Sequence, residues 1–146
     1  MPLRLPDKWV WDFWLAQDGA DHHVFYLQAP CSLSDPDLRH FNASIGHAVS
    51  KDLRSWRVLP DALHAGPPGA WDERATWTGC VVRHDGKWYL FYTGVSVEEG
   101  TIVQRVGAAT SGDLIRWRKH PGNPLIEADP RFYGQRDLGP INPERM

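Results

Sequence analysis

Residues 45–57 (IGHAVSKDLRSWR) align without a gap on residues 106–118 (VGAATSGDLIRWR), at an offset of 61. Gly46/Gly107, Ala48/Ala109, Ser50/Ser111, Asp52/Asp113, Leu53/Leu114, Trp56/Trp117 and Arg57/Arg118 are identical. Upstream the offset becomes 66, placing Trp11 on Trp77, Phe25 on Phe91 and Tyr26 on Tyr92. One longer loop in the first copy, CSLSDPDLRHFNAS (31–44), absorbs the difference. A chain of 146 residues that uses a ~60-residue unit twice must stack two alike units rather than fold around one unrepeated core.

Each copy reads as four short strands. In the second, TWTGCVV (76–82) and KWYLFYT (87–93) flank His84-Asp85-Gly86, and Asp-Gly is a strong tight-hairpin signal. VQRVGAAT (103–110) and RWRK (116–119) supply strands three and four. The first copy offers WVWDFWLAQ, HVFYLQ, SIGHAVS and SWRVL in the same order. No stretch holds a 3.6-residue apolar period, so helix is a minor component. Ser50-Lys51-Asp52-Leu53 and Ser111-Gly112-Asp113-Leu114 read as turns whose Ser and Asp side chains bond the local backbone.

Four-stranded antiparallel units at this period predict propeller blades. The fold class is all-β, with about two blades of an incomplete propeller: blade one over about 9–60, blade two over about 70–120, and an irregular tail over 121–146. The period is too long for the WD40 class, which repeats at about 40–45 residues. Two blades cannot close a ring, so the chain is expected to be part of a longer propeller or to self-associate through open blade edges.

Composition narrows the function. Net charge is −2, against a strongly basic nucleic-acid surface or a polybasic membrane patch. Mean hydropathy is −0.46 and no apolar run approaches a membrane span. No leader pattern precedes PLRLPDKWVW, which makes the cytoplasm the expected compartment. Cys31 and Cys80 read as buried thiols, and the 7 His show no ligand spacing, so neither metal nor cofactor is expected.

The two copies differ where chemistry could sit. Trp11-Asp12-Phe13 in copy one stands against Trp77-Thr78-Gly79 in copy two, exchanging a neutral Thr for a carboxylate. A propeller's first strands line its axis, and an Asp within an aromatic strand is costly unless paired or functional. Regular alternation would put Trp14 on the face of Asp12 and Trp11 on the other. Trp14 is then the aromatic candidate for covering a sugar's apolar face, although blade packing explains a Trp there equally well.

The strings WVWDFWLAQD, HVFYLQAP, SIGHAVSKDLRSW and TWTG, in this order, resemble the N-terminal part of glycoside hydrolase families 32 and 68. These are five-bladed propeller enzymes acting on β-fructofuranosides such as sucrose and fructans. Family 43, acting on arabinosides and xylosides, shares the propeller and a first-blade Asp. The resemblance covers most of residues 9–120. It implies that Asp12 is the nucleophile or, in a family 43 relative, the general base. It implies that Gln28 contacts the sugar, with FYLQ standing where the family has FYQ, and that Trp77 and Thr78 line the sugar site. His47 in GHAVS matches a frequent family His, with cross-strand bonding as its expected role.

The same resemblance exposes what is missing. The family uses an Arg-Asp-Pro in its third blade and a later Glu as general acid. Arg136-Asp137 is followed by Leu138, Glu144 has no blade to sit on, and Glu98 and Glu99 fall in a polar loop. The expectation is a glycosidase-like chain that binds a sugar partner but lacks the acid and is inactive alone. A non-catalytic carbohydrate- or protein-binding fragment and an interrupted reading frame are the competing readings.

Overall fold

The computed structural model describes residues 2–33, 35–98 and 101–132, with the backbone alone at 97, 98 and 101. Two four-stranded antiparallel meanders follow one another. The first contains β1 (Lys8–Asp18), β2 (Asp21–Pro30), β3 (Ser44–Ser50) and β4 (Arg57–Leu63). The second contains β5 (Ala75–His84), β6 (Lys87–Glu98), β7 (Thr101–Ser111) and β8 (Arg118–Lys119). Between β2 and β3 the longer loop forms a 3₁₀ helix over Pro36–Asn42, capped by the Asp35 carboxylate on the Asp37 amide. Among the described residues no helix is long and apolar enough to cross a membrane, and no cluster of three or more His, Cys, Asp or Glu could hold a metal ion.

The turns follow the sequence signals. Asp85 and Gly86 both take positive φ, 47° and 75°, in the two-residue loop joining the paired residues His84 and Lys87. Asp52 Oδ1 accepts from the amides of Arg54 and Ser55 and from Ser50 Oγ. Asp113 Oδ1 does the same with Ile115, Arg116 and Ser111 Oγ. These backbone donors pull both carboxyls down, Asp113 to about 2 and Asp52 further. The turns also delay the start of the fourth strands. They occupy the amides before Trp56 and Trp117, so β4 starts at Arg57 rather than Ser55, and β8 at Arg118 rather than Arg116.

Three further expectations are corrected. Cross-strand pairing of β6 with β7 runs unbroken from Trp88↔Ser111 to Glu98↔Thr101, which places Glu98 in a strand rather than a loop. Among the described residues after β8, Asn123 brackets the Ala108 amide and carbonyl, and Ile126 bridges Val106. Cys80 is exposed, because no described element covers the face of β5 it occupies, and Cys31 is partly exposed; both are free thiols. Glu99, Arg136, Asp137 and Glu144 lie outside the described residues.

One apolar cluster joins the sheets. Phe25, Leu27 and Ile45 of the first meet Trp88, Leu90, Tyr92, Ala109 and Leu114 of the second. Each fully buried side chain of this kind contributes roughly 1.5–3 kcal/mol, enough to fix the two sheets face to face. A buried carboxylate lies at this interface. Asp72, 2 % exposed, accepts from Tyr92 OH at 2.9 Å and from Lys119 Nζ at 2.5 Å.

Candidate active site

The site is built on a matched pair of backbone irregularities. Strand β1 slips register between Trp11 and Phe13, and β5 slips between Trp77 and Gly79. Asp12 and Thr78 are the residues left over, and each is exposed. A bulge re-aims the extra side chain out of the regular alternation. Asp12 reaches this geometry at φ 36°, a region that Asp tolerates better than most side chains. Thr78 is not among the positive-φ residues, as suits a β-branched side chain. Gly79 follows it because a Cβ there would lie 2.1 Å from the Phe91 carbonyl oxygen.

The two bulges meet across the sheets. Thr78 Oγ1 donates to Asp12 Oδ2 at 2.7 Å, joining residues 66 apart that the repeat makes equivalent. Asp12 Oδ1 has no hydrogen-bond partner among the described residues. The arrangement is a carboxylate held by one oxygen and presented by the other. A charge-assisted bond of this kind contributes about 1.5–3 kcal/mol when shielded, less in the open.

The bulge overturns the alternation argument for Trp14. Trp11 pairs with Leu27 and Trp14 with Phe25, so both rings share the face turned towards the second sheet. Trp14 stacks on Phe25 with centroids 6.2 Å apart and 17° between planes, and its buried Nε1 has no partner. The ring packs against the cluster that joins the sheets. Trp77 is half-buried, and its Nε1 donates to the His40 carbonyl at 2.6 Å. Gln28 is 2 % exposed; its Nε2 donates to Ser44 Oγ at 3.3 Å, and its buried Oε1 has no partner. No hydrogen bond joins Gln28 to Asp12 or Thr78. Of the five candidates, the structure brings together Asp12 and Thr78, with Trp77 on the adjoining backbone.

His47 bonds across strands as expected. Its Nε2 lies 2.9 Å from His23 Nδ1, and its ring stacks on Phe25 with centroids 4.4 Å apart. Burial, then the neighbouring His23 and Arg57, pull His47 down to about 3.

His40 is the site residue that sequence reasoning missed. It sits in the 3₁₀ helix, its ring edge-on to Trp11 at 5.8 Å and to Trp77 at 6.4 Å. Burial and the Arg39 charge lower its pKa, against the opposing pull of the Asp37 and Asp12 carboxylates. The loop thus packs a titratable ring between the first-strand tryptophans, near the proposed reactive carboxylate. The signal was present in Ser34-Asp35-Pro36, a capping Asp followed by Pro at the first helical position.

Comparison with known proteins agrees with this architecture. Residues 14–138 match the glycosyl hydrolases family 32 N-terminal domain. The matched stretch begins two residues after Asp12, so the case for that residue rests on the bulge and the repeat. Sucrose:sucrose 1-fructosyltransferase of Festuca arundinacea is 36% identical over 119 residues, covering 77% of this chain and 16% of the relative. Beta-fructofuranosidase 1 of Zea mays is 34% identical over 113 residues, covering 75% of this chain and 16% of the relative. The chain therefore spans about a sixth of the length of these relatives. The exo-inulinase of Aspergillus awamori superposes with a TM-score of 0.64 at 24% identity, over 86% of this chain and 28% of that one. The two meanders are two blades of a propeller fold.

Proposed function

The chain belongs to glycosyl hydrolase family 32, and from that membership we propose that it carries the nucleophile of a site acting on β-fructofuranosides. The observation behind this reading is the Asp12–Thr78 pair, a strained bulge carboxylate tied by one oxygen to the neighbouring blade. Strained backbone of this kind persists where the surroundings over-determine it, and it concentrates at functional positions.

In a retaining mechanism a carboxylate attacks the anomeric carbon while a second carboxylic acid, about 5–5.5 Å away, protonates the leaving oxygen. Oδ1 of Asp12 is the attacking atom, and Thr78 fixes the plane of the carboxylate. Water or a second sugar then releases the fructosyl group, the difference that separates a fructofuranosidase from a fructosyltransferase. The family resemblance puts that acid on a later Glu, outside these two blades. The 146-residue chain alone is therefore expected to turn over poorly or not at all.

Incubating the purified chain with sucrose and with inulin, and assaying released hexose, checks this. No release is expected, and sustained release would overturn the missing-acid reading. Titrating sucrose against ¹⁵N-labelled chain tests the site itself. Shifts clustered at Asp12, Thr78 and the Trp77 indole are expected. Saturable binding elsewhere, unchanged by Asp12→Asn, would favour a non-catalytic carbohydrate-binding role.

A further inference from the structure

One segment belongs to the blade that carries Asp12 and has no counterpart in the other. The connection from β2 to β3 runs through the 3₁₀ helix Pro36–Asn42, whereas β6 passes into β7 with Glu98 paired directly to Thr101. Both blades hold this segment. At its start Cys31 donates its amide to the Asp7 carbonyl, and at its end the Ala43 carbonyl accepts from the Thr76 amide and hydroxyl. Between them the His40 carbonyl accepts from the Trp77 indole at 2.6 Å. A side chain presented from here is therefore fixed relative to both first strands.

Two side chains of the helix reach the site, and they differ in what they have left to offer. Arg39 lies over the Trp11 ring at 5.7 Å and donates from Nη1 to the Pro36 carbonyl, closing back on its own helix. His40 stands edge-on to Trp11 and to Trp77, the residues that immediately precede Asp12 and Thr78. Its ring is half-buried, and among the described residues neither ring nitrogen has a hydrogen-bond partner. Burial and the Arg39 charge hold it mainly neutral at pH 7, against the opposing pull of the Asp37 and Asp12 carboxylates. A neutral imidazole offers one donor and one acceptor, the same pair of functions that a hydroxyl presents. It also leaves Asp12 Oδ1 free, where an imidazolium would compete for it.

We propose that His40 is a sugar-binding residue of the Asp12 site, its imidazole hydrogen-bonded to a hydroxyl of the sugar that Asp12 engages. This rests on the reading of Asp12 as the residue at which the fructosyl group is held. The two indoles fix the ring before the sugar arrives, so little side-chain freedom is lost when the bond forms.

The test titrates sucrose into the isotope-labelled 146-residue chain, following the His40 ring, Asp12 and Thr78 by NMR in wild type and in His40→Phe, His40→Asn and His40→Gln. Phe keeps an aromatic ring against Trp11 and Trp77 but offers no polar atom, whereas Asn and Gln restore a donor and an acceptor at the reach of Nδ1 and Nε2. His40→Leu serves as a second apolar variant. Every variant keeps the residue-40 carbonyl, so an unshifted Trp77 indole resonance shows that the loop is still seated. In wild type the His40 ring should shift saturably together with Asp12 and Thr78. His40→Phe should raise the apparent Kd about fivefold, and Asn or Gln should return it to within about twofold of wild type. Equal affinity in wild type and His40→Phe, with Asp12 and Thr78 still shifting, would overturn the proposal and leave the nucleophile reading standing. A loss in His40→Phe that neither Asn nor Gln repairs would overturn it too, since packing of the loop would explain the effect. Sucrose that moves neither Asp12 nor Thr78 would overturn both readings at once.

Discussion

Lowering the pH from 7 to 5 should weaken the fold chiefly through His47. This ring is 0 % exposed, stacked on Phe25 and hydrogen-bonded to His23, with the Arg57 charge adding to the cost of protonation. Its folded pKa is about 3, against 6.5 for a free imidazole. The unfolded chain therefore takes up the proton first. Stability from this ring is complete above pH 6.5 and is lost as pH falls from there towards 3. Between pH 7 and 5 the linkage amounts to about 2 kcal/mol, from 1.36 kcal/mol per pKa unit over that part of the window. His23 is also lowered, by burial against the opposing pull of Asp21 and Asp18, so it acts in the same direction. The carboxyls of Asp52 and Asp113 are held low and do not change charge in this window. Urea unfolding at pH 7, 6 and 5 should give a steep decline for wild type. For His47→Gln the decline should be shallower by about 2 kcal/mol across the same range, from a lower starting stability. Parallel pH dependences for the two chains would refute the argument, because the acid sensitivity would then lie elsewhere.

Two other perturbations probe the blade interface. Leu53→Gly should stabilise the chain by about 1 kcal/mol by relieving a left-handed Leu, whereas Leu114→Gly should destabilise it by about 2 kcal/mol, since the same relief is outweighed by lost core; urea midpoints moving in the same direction would contradict the assignment. Asp72→Asn removes the carboxylate shared by Tyr92 and Lys119 and should cost about 3 kcal/mol, measured by urea unfolding at pH 7, with a loss below 1 kcal/mol counting against a buried pair there.

The repeat made the fold readable because a propeller is one unit used more than once. Identity at Gly46/Gly107 and Asp52/Asp113 marks positions where a close backbone approach or a turn leaves little choice of residue. At Gly107 a Cβ would meet Trp71 at 2.5 Å, and at Gly46 it would meet the Tyr26 ring at 2.3 Å. The reactive face was harder to read. Alternation predicts direction only while a strand stays regular, and the bulge at Asp12 breaks the count inside an aromatic run with no Gly or Pro to announce it. Thr78 was singled out by its difference from Asp12, but their direct contact was not foreseeable, because it depends on how the two sheets pack. His40 was hidden for another reason. Its loop has no counterpart in the second copy, so comparing repeats passed over the segment that reaches Trp11 and Trp77.

If Asp12 is a nucleophile held ready by its bulge, an activated substrate reveals it without a general acid. With β-fructofuranosyl fluoride, Oδ1 of Asp12 bonds to the anomeric carbon as fluoride departs with the bonding electrons, so no proton need be supplied. Intact-protein and peptide mass spectrometry should show one fructosyl group per chain, on the peptide containing Asp12, absent from Asp12→Asn and slower to form in Thr78→Val. An unmodified wild-type chain, or a label that persists in Asp12→Asn, would contradict the account.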